Sequence, residues 1–112
     1  MLDPNFKAKW VNALRSGEYK QANAYLRRQR LSGDFGFCCL GVLCDVSGAQ
    51  WNGDGEHGTL DSFDVKRVDE AFLSDWMLKR VGLSDEEQKE LAKRNDKGES
   101  FEMIADYIEA NL

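Results

Sequence analysis

The sequence predicts a single small α+β domain, residues 1–112, with about five helices around a short antiparallel β-hairpin. Several capped segments repeat apolar residues at helical spacing, whereas one segment near the N-terminus alternates as a strand does. The chain has 112 residues, one proline and 42% hydrophobic residues, which is the composition of a protein that buries one core. No internal repeat or low-complexity linker divides it.

The first predicted helix covers about residues 4–15. Asp3 precedes Pro4, and this order places an aspartate at the N-cap and a proline at the first helical position, where its missing N–H costs nothing. Gly17 ends the helix. Its apolar stripe consists of Phe6, Trp10, Ala13 and Leu14.

Residues 18–29 alternate between two faces and predict a strand. Its polar, aromatic face carries Tyr19, Gln21, Asn23, Tyr25 and Arg27. The next segment, 31–36, has the glycine and aspartate chemistry of a hairpin connection. We therefore expect Phe37 and its neighbours to return antiparallel to this strand.

All three cysteines lie between Phe37 and Val46. A short apolar run fits either a buried strand or a buried helix, and we favour a helix because Gly48 after the run is typical of a left-handed cap. Gly41, among small cysteines, would allow another backbone to approach closely. The segment 51–58 then predicts a polar, glycine-rich loop, while 59–72 is ambiguous between an irregular strand and a turn.

Three further helices are predicted in the C-terminal half. The first begins after Ser74 and ends at Gly82; the second begins with a capping box at Ser84 and runs to about residue 94; the third begins after Ser100. The apolar stripe of the last helix consists of Phe101, Ile104, Ala105, Ile108 and Leu112.

Charge is distributed unevenly. Residues 1–30 carry seven Lys and Arg against two Asp and Glu, whereas residues 31–112 carry eight against eighteen. One interpretation is that the basic first helix and strand pack beside acidic C-terminal helices. The other is a basic surface that receives an anionic ligand, formed by Lys20, Arg27, Arg28 and Arg30. Free duplex DNA is a poor target for a chain with a pI of about 4.9.

Formal cofactor and metal motifs are incomplete. Residues 53–58 fit G-x-G-x-x-G, but no hydrophobic strand precedes them and no helix follows. The same loop lacks the required glycine and the closing glutamate of a calcium site. Zinc needs four ligands, and Cys38, Cys39, Cys44 and His57 do not have a suitable spacing. We expect no cofactor and no metal.

The segment 95–98 predicts a turn between two capped helices. If this turn folds onto the hairpin, a pocket forms at the N-terminal end of the cysteine helix, where free N–H groups favour an anion. The hypothetical ligand-binding residues are Gln21, Asn23, Tyr25, Arg27, Cys39, Asn95 and Asp96. No catalytic residue is assigned, because free cysteine behaves as a small buried hydrophobe. The alternative is a hydrolase with a nucleophilic Cys38 or Cys39, His57 as base and Asn95 or Asp96 as the third group.

Three blocks of sequence resemble a group of small uncharacterised proteins of tailed bacteriophages. They are residues 9–21 (KWVNALRSGEYKQ), 36–45 (GFCCLGVLCD) and 91–105 (LAKRNDKGESFEMIA). More distantly, the order of these blocks is similar to a bacterial domain family of unknown function. The resemblance implies a phage accessory protein in the host cytoplasm, with no established activity and no functional residues to carry over. It leaves the role of the insertion 51–72 open.

Three functional classes follow. The favoured class is a non-enzymatic binding protein that sequesters a small anionic, nucleotide-like molecule or blocks a host defence protein, because the sequence has no full catalytic set. The second is a cysteine-nucleophile hydrolase, and the third is an acidic DNA mimic or nucleic-acid-linked module. We expect a cytoplasmic location without membrane association, since no stretch approaches the ~20 apolar residues of a membrane span and the N-terminus lacks a secretion signal. The sequence predicts no oligomeric state.

Overall fold

The structure is a computed structural model that describes residues 2–23, 25–29, 35–48, 51–52, 59–60 and 72–112. Within these ranges there are five helices: α1 (Pro4–Ser16), α2 (Cys39–Val46), α3 (Asp75–Val81), α4 (Asp85–Asp96) and α5 (Phe101–Asn111). The strands in the same ranges are β1 (Lys20–Gln21), β2 (Arg27–Gln29), β3 (Phe35–Phe37), β4 (Trp51–Asn52) and β5 (Thr59–Leu60). The predicted α+β class and the five helices are confirmed for this part of the chain.

Helix α1 begins and ends where the sequence predicts. The Asp3 carboxylate accepts hydrogen bonds from the backbone N–H groups of Asn5 at 2.8 Å and Phe6 at 3.3 Å, and Pro4 needs no partner for its nitrogen. At the other end Gly17 adopts φ 79°, the left-handed region that favours glycine.

Serine caps start the three C-terminal helices. The hydroxyls of Ser74, Ser84 and Ser100 accept from the backbone N–H groups of the residues three positions further on, at 3.0 to 3.2 Å. The backbone N–H of Ser84 also donates to Glu87 Oε1 at 3.0 Å, which completes the predicted capping box. Helix α4, however, runs through Asp96, two residues beyond the predicted end.

The three-stranded sheet has the order β1-β3-β2. Strand β3 pairs in parallel with β1 and antiparallel with β2. The prediction of one continuous strand over 18–29 in a simple antiparallel hairpin was therefore wrong, because β1 and β2 are separate strands that pair with β3 in opposite directions. A separate antiparallel pair joins β4 and β5. Of the predicted hairpin connection 31–36, Phe35 and Gly36 belong to β3 and not to a turn. The rest of that connection, the glycine-rich motif 53–58 and most of the ambiguous segment 59–72 lie outside the described residues.

Helix α2 lies at the centre of the core. Each residue from Cys39 to Cys44 is buried, and the indole N–H of Trp10 donates to the Cys39 carbonyl at 2.8 Å. A Cβ atom built on Gly41 would lie 1.8 Å from the carbonyl oxygen of Leu26, so this glycine permits the predicted close approach of a second backbone. The predicted helix over the cysteine run and the left-handed Gly48 (φ 90°) are both confirmed.

The two charged halves of the chain meet between α1 and α5. Arg15 lies 2.6 Å from the carboxylate of Asp106, 3.0 Å from that of Glu109 and 3.7 Å from that of Glu102. The carboxylates of Glu109 and Asp106 raise the pKa of the Arg15 guanidinium. This contact confirms, for the first helix, the interpretation in which the basic N-terminal part packs against acidic C-terminal helices.

Candidate functional site

The side chain of Asn95 connects three segments that are distant in sequence. Its Oδ1 atom accepts from Gln21 Nε2 at 2.9 Å and from the backbone N–H of Cys39 at 3.2 Å. Its Nδ2 atom donates to the carbonyl of Ala22 at 2.8 Å and to Asn23 Oδ1 at 3.3 Å. The amide thus uses its two donor and two acceptor positions. Because Asn95 is fully buried, this network fixes α4 to β1 and to the start of α2.

Gln21 extends the network toward the last helix and into the sheet. Its Nε2 atom also donates to the carbonyl of Glu99 at 2.7 Å. Within the sheet, Gln21 and Arg27 are the register partners of Phe37 on its two sides. The order β1-β3-β2 therefore places these three residues in one row, with adjacent strands about 4.8 Å apart.

Arg27 supplies the positive charge of this row. Its guanidinium carbon lies 4.0 Å from the centre of the Phe35 ring, a cation–π contact. Burial lowers the pKa of Arg27, and the nearby carboxylate of Asp45 acts in the opposite direction. Asp45 also accepts a hydrogen bond from the Tyr19 hydroxyl at 2.5 Å, and burial together with this bond raises the pKa of Tyr19.

Three further predicted site residues lie nearer the surface. Asn23 and Asp96 are exposed and Tyr25 is half-buried. The backbone N–H of Tyr25 donates to the carbonyl of Asn23 at 2.9 Å, which shapes the segment between β1 and β2. We call the four predicted residues Asn23, Tyr25, Arg27 and Asp96 the rim. The hydrogen-bond network of Gln21, Cys39 and Asn95 reaches the rim at Asn23.

Two sequence expectations about this site need correction. Asn95 and Asp96 are the last residues of α4 and not part of a turn, which forms only at Lys97 and Gly98. The N-terminus of α2 is not an open group of N–H donors either, because Asn95 Oδ1 already accepts from the Cys39 N–H. An amide from another helix thus does what a local N-cap side chain does elsewhere.

The cysteines have the surroundings of packing residues. Cys38 and Cys39 are 4% and 0% exposed, and the Cys39 thiol donates to the Leu91 carbonyl at 3.5 Å. Burial raises the pKa of Cys38 to about 11 and that of Cys39 well above its ordinary value. A thiol acts as a nucleophile in its deprotonated form, so both shifts disfavour reactivity at neutral pH. His57, the base of the alternative mechanism, lies outside the described residues.

Sequence reasoning missed several contributors to the site. Phe35 and Asp45 lie near Arg27, Tyr19 bonds to Asp45, and the Glu99 carbonyl accepts from Gln21. Phe35 could have been found from the sequence, because it lies two residues before Phe37 and residues at this spacing share one face of a strand. No local pattern signals the Glu99 carbonyl, because a backbone acceptor depends on the tertiary fold alone.

No group of three or more His, Cys, Asp or Glu side chains suited to a metal ion occurs among the residues that the structure describes. In those same ranges, no helix is long and apolar enough to cross a bilayer.

The fold and the site define a small α+β domain whose polar network is built around one buried asparagine. A family model, that of a domain of unknown function (DUF8296), matches residues 2–66. Since this is more than half of the chain, the protein belongs to that family. No curated protein and no solved structure matches the chain. The matched region contains α1, the three-stranded sheet and α2, whereas Asn95 comes from α4, outside it.

Proposed function

We propose that this protein is a non-catalytic binding protein that takes a small anionic, nucleotide-like ligand at the rim. The rim residues Asn23, Tyr25, Arg27 and Asp96 would contact the ligand, with Gln21, Cys39 and Asn95 as their support. The observation that carries the proposal is the placement of Arg27, stacked on Phe35 at 4.0 Å, in the row that the buried Asn95 network fixes.

A fixed network of this kind favours binding because little conformational freedom remains to be lost when the ligand arrives. The four hydrogen bonds of Asn95 hold β1 and the start of α2 against α4. Asn23 receives one of these bonds, so its side chain is already oriented at the rim. Gln21, Cys39 and Asn95 are therefore already in position before any ligand is bound.

The chemistry of the rim suits a phosphate attached to a polar group. The planar guanidinium of Arg27 can bind two oxygens of a phosphate at once. Partial burial strengthens such a contact, because an anion would offset the desolvation that lowers the Arg27 pKa. Asp96 repels a bare anion but accepts hydrogen bonds from hydroxyl or amino groups, which a nucleotide carries beside its phosphate. We therefore expect a nucleotide to bind better than inorganic phosphate.

The cysteines support binding over catalysis. Their burial and raised pKa values leave few thiolates at neutral pH. In this proposal the protein acts stoichiometrically, as a phage accessory protein in the host cytoplasm that removes a signalling nucleotide from a defence pathway. The phage setting rests on the sequence resemblance alone.

Thermal unfolding with a panel of linear and cyclic nucleotides tests the proposal. A ligand that binds only the native state at about 100 times its Kd stabilises it by about 2.7 kcal/mol, which raises the Tm by several degrees. Titration calorimetry should then show that Arg27→Gln and Asn23→Ala weaken binding at least tenfold. Lys9→Gln, a charge change at an exposed position of α1, is the matched control and should bind normally.

The possible outcomes separate the alternatives. The absence of any shift across the panel would remove the small-molecule proposal. Conversion of the ligand during the titration, lost in Cys39→Ser, would favour the hydrolase alternative.

A further inference from the structure

Three large apolar side chains are exposed among the residues that the structure describes: Phe72 at 45%, Trp76 at 48% and Met103 at 54%. Single exposed apolar residues are ordinary on protein surfaces. Trp76 and Met103 differ from such ordinary residues in the charges that surround them. Trp76 lies beside cations, and Met103 lies between carboxylates, so the two surfaces are complementary to each other.

The first surface, which we call the α3 face, consists of Trp76, Lys79 and Arg80. These residues are three and four positions apart and therefore share one side of the helix. Arg80 is held in position because it donates to the carbonyl of Ser47 at 3.0 Å and lies 5.7 Å from the centre of the Trp76 ring. Phe6 flanks the same guanidinium at 5.4 Å. Lys79 and Arg80 are exposed.

A cavity of about 400 Å³ adjoins the α3 face. Its walls include Leu2, Pro4, Val81 and Gly82, together with Lys79, Arg80 and Asp3. The Asp3 carboxylate is engaged as the N-cap of α1, so the cavity offers apolar walls beside two cations and is large enough to accept an unbranched apolar side chain.

The second surface, which we call the α5 face, consists of Glu102, Met103 and Asp106, all exposed. Arg15 contacts Glu102, Asp106 and Glu109 from one side. One guanidinium against three carboxylates leaves this face negative. Met103 stands between two of these acids, with a flexible thioether that adapts to irregular cavities and to aromatic rings.

We infer that the α3 face of one copy of this protein binds the α5 face of a second copy. Met103 inserts beside Trp76 and the adjoining cavity, while Lys79 and Arg80 face Glu102 and Asp106. Charge complementarity identifies the occupant, since the chain itself carries an apolar side chain flanked by carboxylates. The two faces differ, so the contact is head-to-tail. Such a small interface, between chains that each carry a net charge of −5, gives weak association that depends on concentration.

Sedimentation velocity at low ionic strength tests the inference with two blocked variants. Trp76→Glu with Lys79→Glu blocks the α3 face, and Met103→Lys blocks the α5 face. The wild type should gain average mass as its concentration rises, and each variant alone should stay monomeric. An equimolar mixture of the two variants should form a dimer and nothing larger, because it contains one intact face of each kind. Lys9→Glu, outside both faces, should associate like the wild type.

Three results with the wild type and the blocked variants would overturn the inference, and a fourth comes from the Lys9→Glu control. The first three are a wild type that stays monomeric at every concentration, a blocked variant that associates as the wild type does, and a mixture that fails to form the dimer. Circular dichroism and the Tm confirm that each variant is folded. If either charge variant unfolds, Trp76→Ser and Met103→Ser provide a milder pair, for which the same mixture result is required. Association of the wild type that is lost in Lys9→Glu would indicate general charge effects and would also overturn it.

Discussion

Asn95 caps the N-terminus of helix α2, because its Oδ1 atom accepts a hydrogen bond from the backbone N–H of Cys39 at 3.2 Å. The two residues are 56 positions apart in the chain. Cys38, the local N-cap residue, makes no side-chain capping bond. A helix that lacks its own cap is thus completed by another helix.

Asn95→Ala should lower the free energy of unfolding by about 3 kcal/mol, because buried polar groups left without partners cost roughly 1–3 kcal/mol each. The groups that lose their partner include the Cys39 N–H and the Ala22 carbonyl. Urea denaturation measures the change. Asn12→Ala, at an exposed position of α1, is the control and should shift stability by less than about 0.5 kcal/mol. Equal effects of the two substitutions would contradict this account of the network.

Gly41→Ala should destabilise the protein by about 3 kcal/mol or more, through overpacking. Helix propensity alone predicts the opposite, since alanine is about 1 kcal/mol better than glycine within a helix. The new Cβ would lie 1.8 Å from the Leu26 carbonyl oxygen. This oxygen belongs to the backbone, so it cannot move aside by a side-chain rotation. Gly98→Ala tests backbone strain alone, because Gly98 has φ 101° and an added Cβ would have no atom within 4 Å. This substitution should lower the free energy of unfolding by only about 1–2 kcal/mol. A neutral Gly41→Ala would be incompatible with this packing.

Stability should fall as the pH rises above about 9. Burial raises the pKa of Cys38 from its ordinary value of 9.0 to about 11. Between these values the folded chain keeps a proton that the unfolded chain has lost, so alkali favours unfolding. Cys39 and Tyr19 act in the same direction. Urea denaturation from pH 7 to 10 measures the slope, which Cys38→Ala should reduce.

Alkylation gives an independent check of the same burial. In native protein at pH 7 iodoacetamide should label the described cysteines slowly, whereas it should label all three rapidly in urea. Fast stoichiometric labelling of the native state would show that at least one thiol is accessible and would reopen the hydrolase alternative.

A fragment of residues 2–66, the region that matches the family model, should not fold alone. The face of α1 that packs on α5 and the N-terminus of α2 would both lose their partners. Circular dichroism should show little helix in the isolated fragment. Addition of a 67–112 fragment should restore helicity, and the Asn95→Ala version of that fragment should restore less. A cooperatively unfolding 2–66 fragment would contradict the prediction.

Local signals in the sequence correctly predicted where four of the helices start and where α1 and α3 stop. Asp3, Ser74, Ser84 and Ser100 each bond backbone groups within three residues, so their roles follow from short-range chemistry. The cysteine helix was predicted for a similar reason, from the glycine that follows it.

Long-range relationships were beyond such reasoning. Strands β1 and β2 pair with β3 in opposite directions, and the Leu26 backbone just before β2 meets α2 at Gly41; the alternation in 18–29 carries no trace of either relationship. The proximity of Gln21, Asn23, Cys39 and Asn95 was anticipated as a hypothesis. The way in which these residues interact was not anticipated. The Asn95 amide binds the N-terminus of α2, which was expected to receive a ligand.

The contact between Gly41 and Leu26 has a consequence for the neighbouring residue. Leu26 directly precedes Arg27. The distance between the Leu26 backbone and α2 therefore determines how far the Arg27 guanidinium lies from the domain surface. Any methyl group at position 41 would lift the chain outward and carry the cation with it. The absence of a side chain at Gly41 therefore determines where the positive charge of Arg27 lies on the adjacent sheet.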